Sequence, residues 1–237
     1  MTTYNVVAST SESTVVAEYK FDSTQSSEYQ SEADLEKEFI RVLSSQGYER
    51  LSLRNEQDLI RNLKSQLERI NAYTFTKSEW ERFYQNKLSN PNEGIIEKTK
   101  KIQEDHIQVL SRDDGSSKNI YLLDKKNIHN NHLQIINQYE EAGGTRDTRY
   151  DVTILVNGLP LVHIELKRRG VAIREAFNQI KRYQRDSFWA SLGLYEYVQI
   201  FVISNGTHTR YYSNTTRNQH LKESLEALNT SAKKTSN

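Results

Sequence analysis

The sequence predicts an α/β fold in which a mixed central β-sheet is flanked by helices and carries a helical insertion. Apolar residues recur at helical spacing from residue 31 to about residue 105. From residue 118 to residue 213, short β-branched and aromatic runs alternate with turn residues, interrupted by one further helical pattern. This β-β-β-α-β order is typical of an α/β sandwich with a mixed central sheet.

The N-terminal third predicts helices after a polar start. Residues 1–30 are rich in Ser, Thr and Glu, and we expect them to be loosely ordered. A helix follows from about Ser31 and ends near Gly47, a plausible C-cap. Residues 55–105 form a charged helical insertion, whose two helices we expect to pack on the edge of the sheet. Their apolar stripes are Leu59, Leu63, Leu67 and Ile70, then Trp80, Phe83, Tyr84 and Leu88.

The next elements are predicted strands, at residues 118–124 and 131–140, followed by a hairpin over residues 149–167. Two alternating apolar stretches flank Asn157-Gly158, the strongest short-range signal for a tight β-turn. Side chains alternate faces along a strand, so Glu165 and Lys167 point the same way. Asp151 lies near the start of the partner strand, so the hairpin places it beside Glu165 and Lys167.

Two carboxylates and an ammonium group at one edge of an apolar sheet predict a metal site with a cation beside it. Mg²⁺ prefers oxygen ligands and keeps several waters, so one or two carboxylates suffice to hold it. A bound metal lowers the pKa of a water ligand and stabilises charge developing on a phosphodiester. Lys167 would orient or deprotonate the attacking water, or neutralise phosphate charge. The alternative is a surface strand that ends in ordinary charges.

A helix is predicted over residues 171–191, followed by a strand over Tyr197–Ser204 and its partner His208–Ser213. Gln179 and Tyr183 are four residues apart and share one helix face. The segment from Lys167 to residue 185 is basic, although the whole chain has a net charge of only +1. A phosphate backbone is expected along it, with Arg168 and Arg169 as the better candidates for contacts. Its seven basic residues are Lys167, Arg168, Arg169, Arg174, Lys181, Arg182 and Arg185.

These motifs resemble known nucleases. Asp151, Glu165 and Lys167 have the spacing D-x13-E-x-K of the PD-(D/E)xK superfamily, and Gln179 with Tyr183 resembles the Gln-x-x-x-Tyr pair of its RecB-like branch. Residues from about 30 to 215 resemble the N-terminal nuclease region of the restriction (R) subunit of type I restriction-modification enzymes. The runs that carry this resemblance are Asn137-Gln138-Tyr139, Arg149-Tyr150-Asp151, Asn157-Gly158-Leu159-Pro160-Leu161, Glu165-Leu166-Lys167 and Ile203-Ser204-Asn205-Gly206. Tyr150 stands where the superfamily label has proline.

The resemblance implies a restriction-endonuclease-like fold and a Mg²⁺-dependent endodeoxyribonuclease, with Mn²⁺ as a substitute metal. Asp151 and Glu165 would hold the metal. Acidic residues on the first helix often join them in this superfamily, and Glu36 and Glu38 are candidates, with Glu32 behind them. Gln179, Tyr183, Arg168, Arg169 and Arg182 would position double-stranded DNA.

The resemblance also implies partners. These are the motor domains of the same subunit, which translocate DNA with ATP, and the modification and specificity subunits of a type I complex. The sequence contains no Gly-x-x-x-x-Gly-Lys-[Ser/Thr] loop, so ATP would act only through a motor absent from these 237 residues. We therefore expect a nuclease domain over residues 31–215 and a linker toward that motor over residues 216–237.

Composition agrees with a cytoplasmic protein. Mean hydropathy is −0.80, no apolar run has the length of a membrane span, and the polar N-terminus does not resemble a signal peptide. With no cysteine, a disulfide scaffold and a Cys-type zinc site are excluded. Two alternatives stay open: another PD-(D/E)xK nuclease that acts in repair or on DNA junctions, and a nuclease-like docking domain without activity.

Overall fold

The structure, a computed structural model, describes residues 31–53, 55–141, 148–171 and 193–214, and two short strands within the first 30 residues. The chain divides into two units, Met1–Gln30 and Ser31–Asn237. In order, the helices are α1 (Glu32–Ser45), α2 (Glu56–Asn71), α3 (Lys77–Phe83) and α4 (Ile95–Gln103). The strands are β1 (Asn5–Ser9), β2 (Val15–Glu18), β3 (Glu49–Leu51), β4 (Ile107–Ser111), β5 (Ser117–Tyr121), β6 (Leu133–Glu141), β7 (Thr148–Val156), β8 (Leu159–Leu166), β9 (Ile200–Ser204) and β10 (Thr209–Ser213).

A six-stranded mixed sheet forms the centre of the second unit. Its strand order is β10-β9-β8-β7-β6-β3. The β3–β6 and β8–β9 pairs are parallel, and the other pairs are antiparallel. The α/β class and the mixed central sheet predicted from the sequence are therefore confirmed. In the first unit, β1 pairs antiparallel with β2, in a segment for which the sequence analysis predicted no strand.

Apolar side chains cover both faces of the sheet. On one face, Ile40 and Leu43 of α1 pack with Ile135, Val152 and Ile164 of the sheet. On the other face, the stripe of α2 joins a larger cluster with apolar residues of the sheet and of the insertion. Alternation along the strands supplies both faces, as expected for a sheet covered on both sides.

Helix α1 matches its prediction. Ser31 caps its start, because the Ser31 hydroxyl accepts a hydrogen bond from the backbone N–H of Asp34 at 3.1 Å. The helix ends at Ser45, and Gly47 follows with a φ of +94° that favours glycine.

The β7–β8 turn packs against helix α2, which corrects the prediction that the insertion lies on the edge of the sheet. Asn157 and Gly158 have φ angles of +49° and +81°, as the primed turn predicted from Asn-Gly requires. A Cβ atom on Gly158 would lie 2.6 Å from the Cα of Leu63. Periodicity identified the buried stripe of α2 correctly, but it did not identify the surface against which that stripe packs.

The insertion is also more divided than predicted. Residues 55–105 contain α2, α3, a π-helical turn (Tyr84–Leu88) and α4 rather than two helices. The start of α3 is fixed by a capping box between Thr76 and Glu79. Strand β4, which the sequence analysis did not predict, pairs with β5 to form a separate two-stranded sheet.

The C-terminal strands differ slightly from their predictions. A 3₁₀ turn occupies Leu194–Tyr197, so β9 begins at Ile200 rather than at Tyr197. The Tyr197 hydroxyl donates to the carbonyl of Leu88 at 3.0 Å, which ties this turn to the insertion. The helix predicted over residues 171–191 lies almost entirely outside the described residues. Within the described part of the chain, no helix has the length and apolar character needed to cross a membrane.

Candidate active site

The β7–β8 hairpin brings Asp151 and Glu165 together, as predicted. Val152 pairs with Ile164 across the hairpin, so Asp151 and Glu165 occupy the next opposing positions. The carboxylate Oδ2 of Asp151 accepts a hydrogen bond from the backbone N–H of Leu166 at 2.9 Å. This contact fixes the aspartate against the end of strand β8.

Lys167 completes the predicted trio. Its Nζ donates to Oε1 of Glu165 at 2.9 Å and to the carbonyl of Leu166 at 3.1 Å. Glu165 is fully buried, and among the described residues no hydrogen-bond donor satisfies its Oε2. Nε2 of His163 lies 3.7 Å from that oxygen. A buried carboxylate oxygen without a donor is costly, and it is suited to binding a cation.

Burial and charge repulsion strongly perturb this edge of the sheet. Burial raises the pKa of Asp151 to about 7, and the carboxylates of Glu165 and Glu36 add to the effect. The Leu166 N–H and the Lys167 ammonium act in the opposite direction without reversing the shift. For Lys167, burial lowers the pKa, but the attraction of Glu165, Asp151 and Glu32 outweighs burial and raises it. Lys167 therefore stays protonated while the two strand carboxylates repel each other.

Helix α1 adds two glutamates to the same edge. Glu36 accepts a hydrogen bond from Nδ2 of Asn137 at 2.7 Å and a second bond from Nε2 of Gln138. Glu32 is half-exposed, and its Oε2 lies 3.9 Å from Nζ of Lys167. Glu38 points elsewhere, since it pairs with Arg41 at 2.6 Å on the exposed side of the helix. Of the candidates on this helix, Glu36 and Glu32 face the site and Glu38 does not.

The basic candidates are only partly described. Arg168 is exposed just beyond the site, and Arg169 is half-buried beside Gly206. Gln179, Arg182 and Tyr183 lie outside the described residues, so their predicted DNA-positioning roles stay predictions.

Sequence reasoning missed two groups of residues around the site. The sequence analysis used Asn137 and Gln138 only as part of a run that carries the family resemblance, and it assigned no role to them. Asn205 was likewise unassigned, yet its Nδ2 donates to the carbonyl of Val171 at 2.9 Å and anchors the chain that leaves Lys167. The signal in the sequence was two consecutive amide residues within a predicted strand, which is too common to be informative alone.

The donor set fits a divalent cation of the Mg²⁺ type. Asp151 and Glu165 offer hard oxygen atoms that repel each other, and no group in the described part of the chain donates to Oε2 of Glu165. Mg²⁺ needs only one or two such carboxylates, because it keeps several waters. Among the described residues, no three Asp, Glu or His side chains already form a tight metal-holding cluster. The two strand carboxylates are therefore the core of the fit.

The chain is similar to endonuclease subunits of type I restriction enzymes. The family described as the N terminus of type I restriction enzyme R proteins matches residues 29–220. The chain is 52% identical over 204 residues to the EcoprrI endonuclease subunit of Escherichia coli, which covers 86% of this chain and 65% of that protein. It is 44% identical over 192 residues to a type I restriction enzyme endonuclease subunit of Staphylococcus saprophyticus, which covers 78% of this chain and 20% of that protein.

The mixed sheet with helices on both faces places the chain in the α/β class and is consistent with a nuclease-like fold. The chain belongs to the type I restriction enzyme R protein N-terminal family, as the resemblance implied. It spans less than two thirds of the length of the curated relatives named above.

Proposed function

We propose that residues 31–215 form the Mg²⁺-dependent endodeoxyribonuclease domain of a type I restriction R subunit. The observation that carries this proposal is the pairing of Asp151 with Glu165 at a buried sheet edge, beside the Lys167 ammonium. Buried like charges are costly, so an arrangement that keeps them together is a candidate for function rather than stability.

In this proposal, Asp151 and Glu165 hold the cation through their carboxylate oxygens, and Glu36 is a further candidate ligand. A bound Mg²⁺, or Mn²⁺ in its place, would lower the pKa of a water and stabilise the charge that develops on the scissile phosphate. Leu166 keeps Asp151 oriented through its backbone N–H. The site then hydrolyses a phosphodiester bond of double-stranded DNA.

Lys167 lies beside the two carboxylates, with its Nζ donating to Glu165. In the metal-free chain its pKa is raised by those carboxylates. Beside a bound cation it would orient or deprotonate the attacking water, or neutralise phosphate charge. Arg168 and Arg169, with Arg182, Gln179 and Tyr183 from the following segment, would hold the DNA backbone along the site.

The wider activity belongs to the longer protein. We propose that ATP-driven motor domains outside these residues translocate DNA, that residues 216–237 link to them, and that modification and specificity subunits complete the complex. ATP would then be needed only through the motor. The support is family membership together with relatives much longer than this chain.

The test is substitution in the assembled enzyme. Asp151→Ala, Glu165→Ala and Lys167→Ala should each lower the rate of DNA cleavage about a hundredfold or more. Each should leave DNA-stimulated ATP hydrolysis largely intact. Glu38→Ala is the matched control, because Glu38 lies on α1 but pairs with exposed Arg41 away from the site. Cleavage at the wild-type rate by all three site variants would show that the site is misassigned and would favour a docking role.

A further inference from the structure

Strand β6 is distorted directly opposite Asp151. Asn137 pairs with Val152 and Tyr139 with Tyr150, so Gln138 lies opposite Asp151, yet no strand pairing joins these two positions. Gln138 has a φ of +57°, in the left-handed region that residues other than glycine rarely adopt. Strain of this kind is retained when something other than local stability requires it.

The distortion has a definite consequence for side-chain direction. In a regular strand, neighbouring side chains point to opposite faces of the sheet. Asn137 and Gln138 are neighbours, yet both amide groups donate to the carboxylate of Glu36, one to each oxygen. The left-handed backbone at Gln138 lets two consecutive amides hold a single carboxylate.

The donors that hold Glu36 are neutral. Glu38, two residues further along the same helix, is paired with the guanidinium of Arg41. Within the described part of the chain, Glu36 forms no ion pair with a lysine, arginine or histidine. Amide donors fix the direction of a carboxylate and leave its full negative charge available, whereas a guanidinium would neutralise it.

The two amides hold Glu36 at the same edge of the sheet as Asp151. Gln138, which donates to Glu36, lies on β6 opposite Asp151. At the same edge, Oε1 of Gln138 and Oε2 of Glu165 are buried without a donor among the described residues. Unsatisfied buried acceptors and clustered negative charge both indicate an edge arranged for a cation rather than for the stability of the metal-free protein.

We propose that Asn137 and Gln138 are positioning residues that aim Glu36 at Asp151 and Glu165 as the third carboxylate of the divalent-cation site, and that the distortion of β6 at Gln138 serves this purpose. The inference rests on the proposed nuclease function and adds to it the device that assembles the site across two elements. Glu36 comes from α1 and the other two carboxylates come from the β7–β8 hairpin. The hydrogen bonds from Asn137 and Gln138 to Glu36 therefore join the helix to the sheet.

The test is Mn²⁺ binding to the 237-residue chain. Binding is measured as the loss of the electron paramagnetic resonance signal of free Mn²⁺. Gln138→Met and Asn137→Leu each remove one donor and should raise the Kd for Mn²⁺ about tenfold or more, as expected for residues that orient a metal ligand. Gln138→Gly should weaken Mn²⁺ binding equally. Its melting temperature should equal or exceed that of the wild type, because glycine adopts a positive φ without a steric penalty.

The matched control is Gln134→Met on the same strand. Gln134 also donates to a carboxylate, that of Glu49 at 2.8 Å, but away from Asp151. This variant should melt at a lower temperature and keep its Mn²⁺ affinity within about twofold of the wild type, because it touches no site residue. If Gln138 has only a structural role, Gln138→Gly should also melt at a lower temperature and keep its Mn²⁺ affinity. That result would overturn the inference.

Glu165→Gln separates the inference from the proposed function. If the wild type binds Mn²⁺ and Glu165→Gln does not, the metal site stands. Wild-type affinity in Gln138→Met, Gln138→Gly and Asn137→Leu would then overturn the positioning role alone. Equal Mn²⁺ binding by the wild type and Glu165→Gln, or no binding by either, would overturn the proposed metal site and this inference together.

Discussion

Two carboxylates in this chain lie in opposite electrostatic surroundings. Asp113, in the turn between β4 and β5, accepts hydrogen bonds from Ser78 at 2.6 Å, Thr76 at 2.5 Å and Arg82 at 2.6 Å. These donors lower its pKa to about 2. Asp151, at the sheet edge, is partly buried beside other carboxylates, and its pKa is raised to about 7.

The difference separates a region built for stability from one built for binding. Residues at the start of α3 donate to Asp113, and Glu79 on that helix has donors too. Glu79 is buried, yet hydrogen bonds from Tyr73, Thr76 and Asp113 lower its pKa against the effect of burial. The sheet edge instead holds several carboxylates close together and gives them fewer hydrogen-bond donors. Proteins commonly give up stability at functional sites and recover it elsewhere.

The largest expected effect lies in the scaffold, at a buried ion pair. Lys98 of α4 and Glu196 of the turn before β9 are buried and paired with each other. Lys98→Met should lower the free energy of unfolding by roughly 3–5 kcal/mol, because Glu196 would be left as a buried charge without its partner. Urea unfolding followed by circular dichroism measures this loss.

The double variant Lys98→Met with Glu196→Met is the control for that loss. Replacing both charges with apolar side chains of similar size removes the unpaired charge, so most of the stability should return. A single variant as stable as the wild type would mean that the buried pair does not stabilise the contact of α4 with the Leu194–Tyr197 turn.

The second effect has the opposite sign and tests the sheet edge. The pKa of Asp151 is raised from 3.8 to about 7 in the folded chain. The folded state therefore binds this proton more tightly than the unfolded state, and the associated stability is complete below pH 3.8 and is lost as the pH rises through about 7. Asp151→Asn, which cannot ionise, should be more stable than the wild type at pH 8 by on the order of 2–4 kcal/mol.

Thermal unfolding across pH measures this difference in metal-free buffer. The gain should shrink toward zero as the pH falls below 3.8, where Asp151 is protonated in both the folded and the unfolded state. It should also shrink when Mn²⁺ is added to the wild type at pH 8. Asp58→Asn is the control, since Asp58 is near the start of α2 and paired with exposed Arg61. A destabilised Asp151→Asn variant at pH 8 would show that Asp151 is a structural residue and that the contrast between the regions is wrong.

The sequence was sufficient to predict the elements with strong local signals. Asn157-Gly158 predicted the hairpin turn, and strand alternation then placed Asp151 beside Glu165 and Lys167. The catalytic and metal-binding roles of these residues stay predictions. Periodicity also predicted α1 and the buried stripe of α2, because a helix with one apolar face must bury that face.

Features that depend on distant residues could not be predicted in this way. Lys98 and Glu196 are 98 positions apart, and neither has a local signal for pairing. Glutamine is not a residue type expected at a positive φ, so nothing in the sequence indicated the distortion at Gln138. The packing of α2 against the sheet is shown by the cluster that its leucines form with sheet residues such as Ile136 and Leu155, which periodicity does not report.

The smallest expected effect is at Asp113, and it completes the comparison. Its folded-state pKa of about 2 lies below the unfolded value of 3.8. Its contribution is therefore present above pH 3.8 and is lost as the pH falls through about 2. Asp113→Asn should lower the melting temperature slightly at pH 6 and less at pH 3, because this carboxylate is exposed and solvent screens its ion pair with Arg82.

Asp114→Asn, at the neighbouring exposed position, is the control and should change the melting temperature less, since Asp114 has fewer side-chain donors. If Asp113→Asn melts at the wild-type temperature at both pH values, the exposed donors contribute nothing to stability. The two regions would then differ through burial at Asp151 alone.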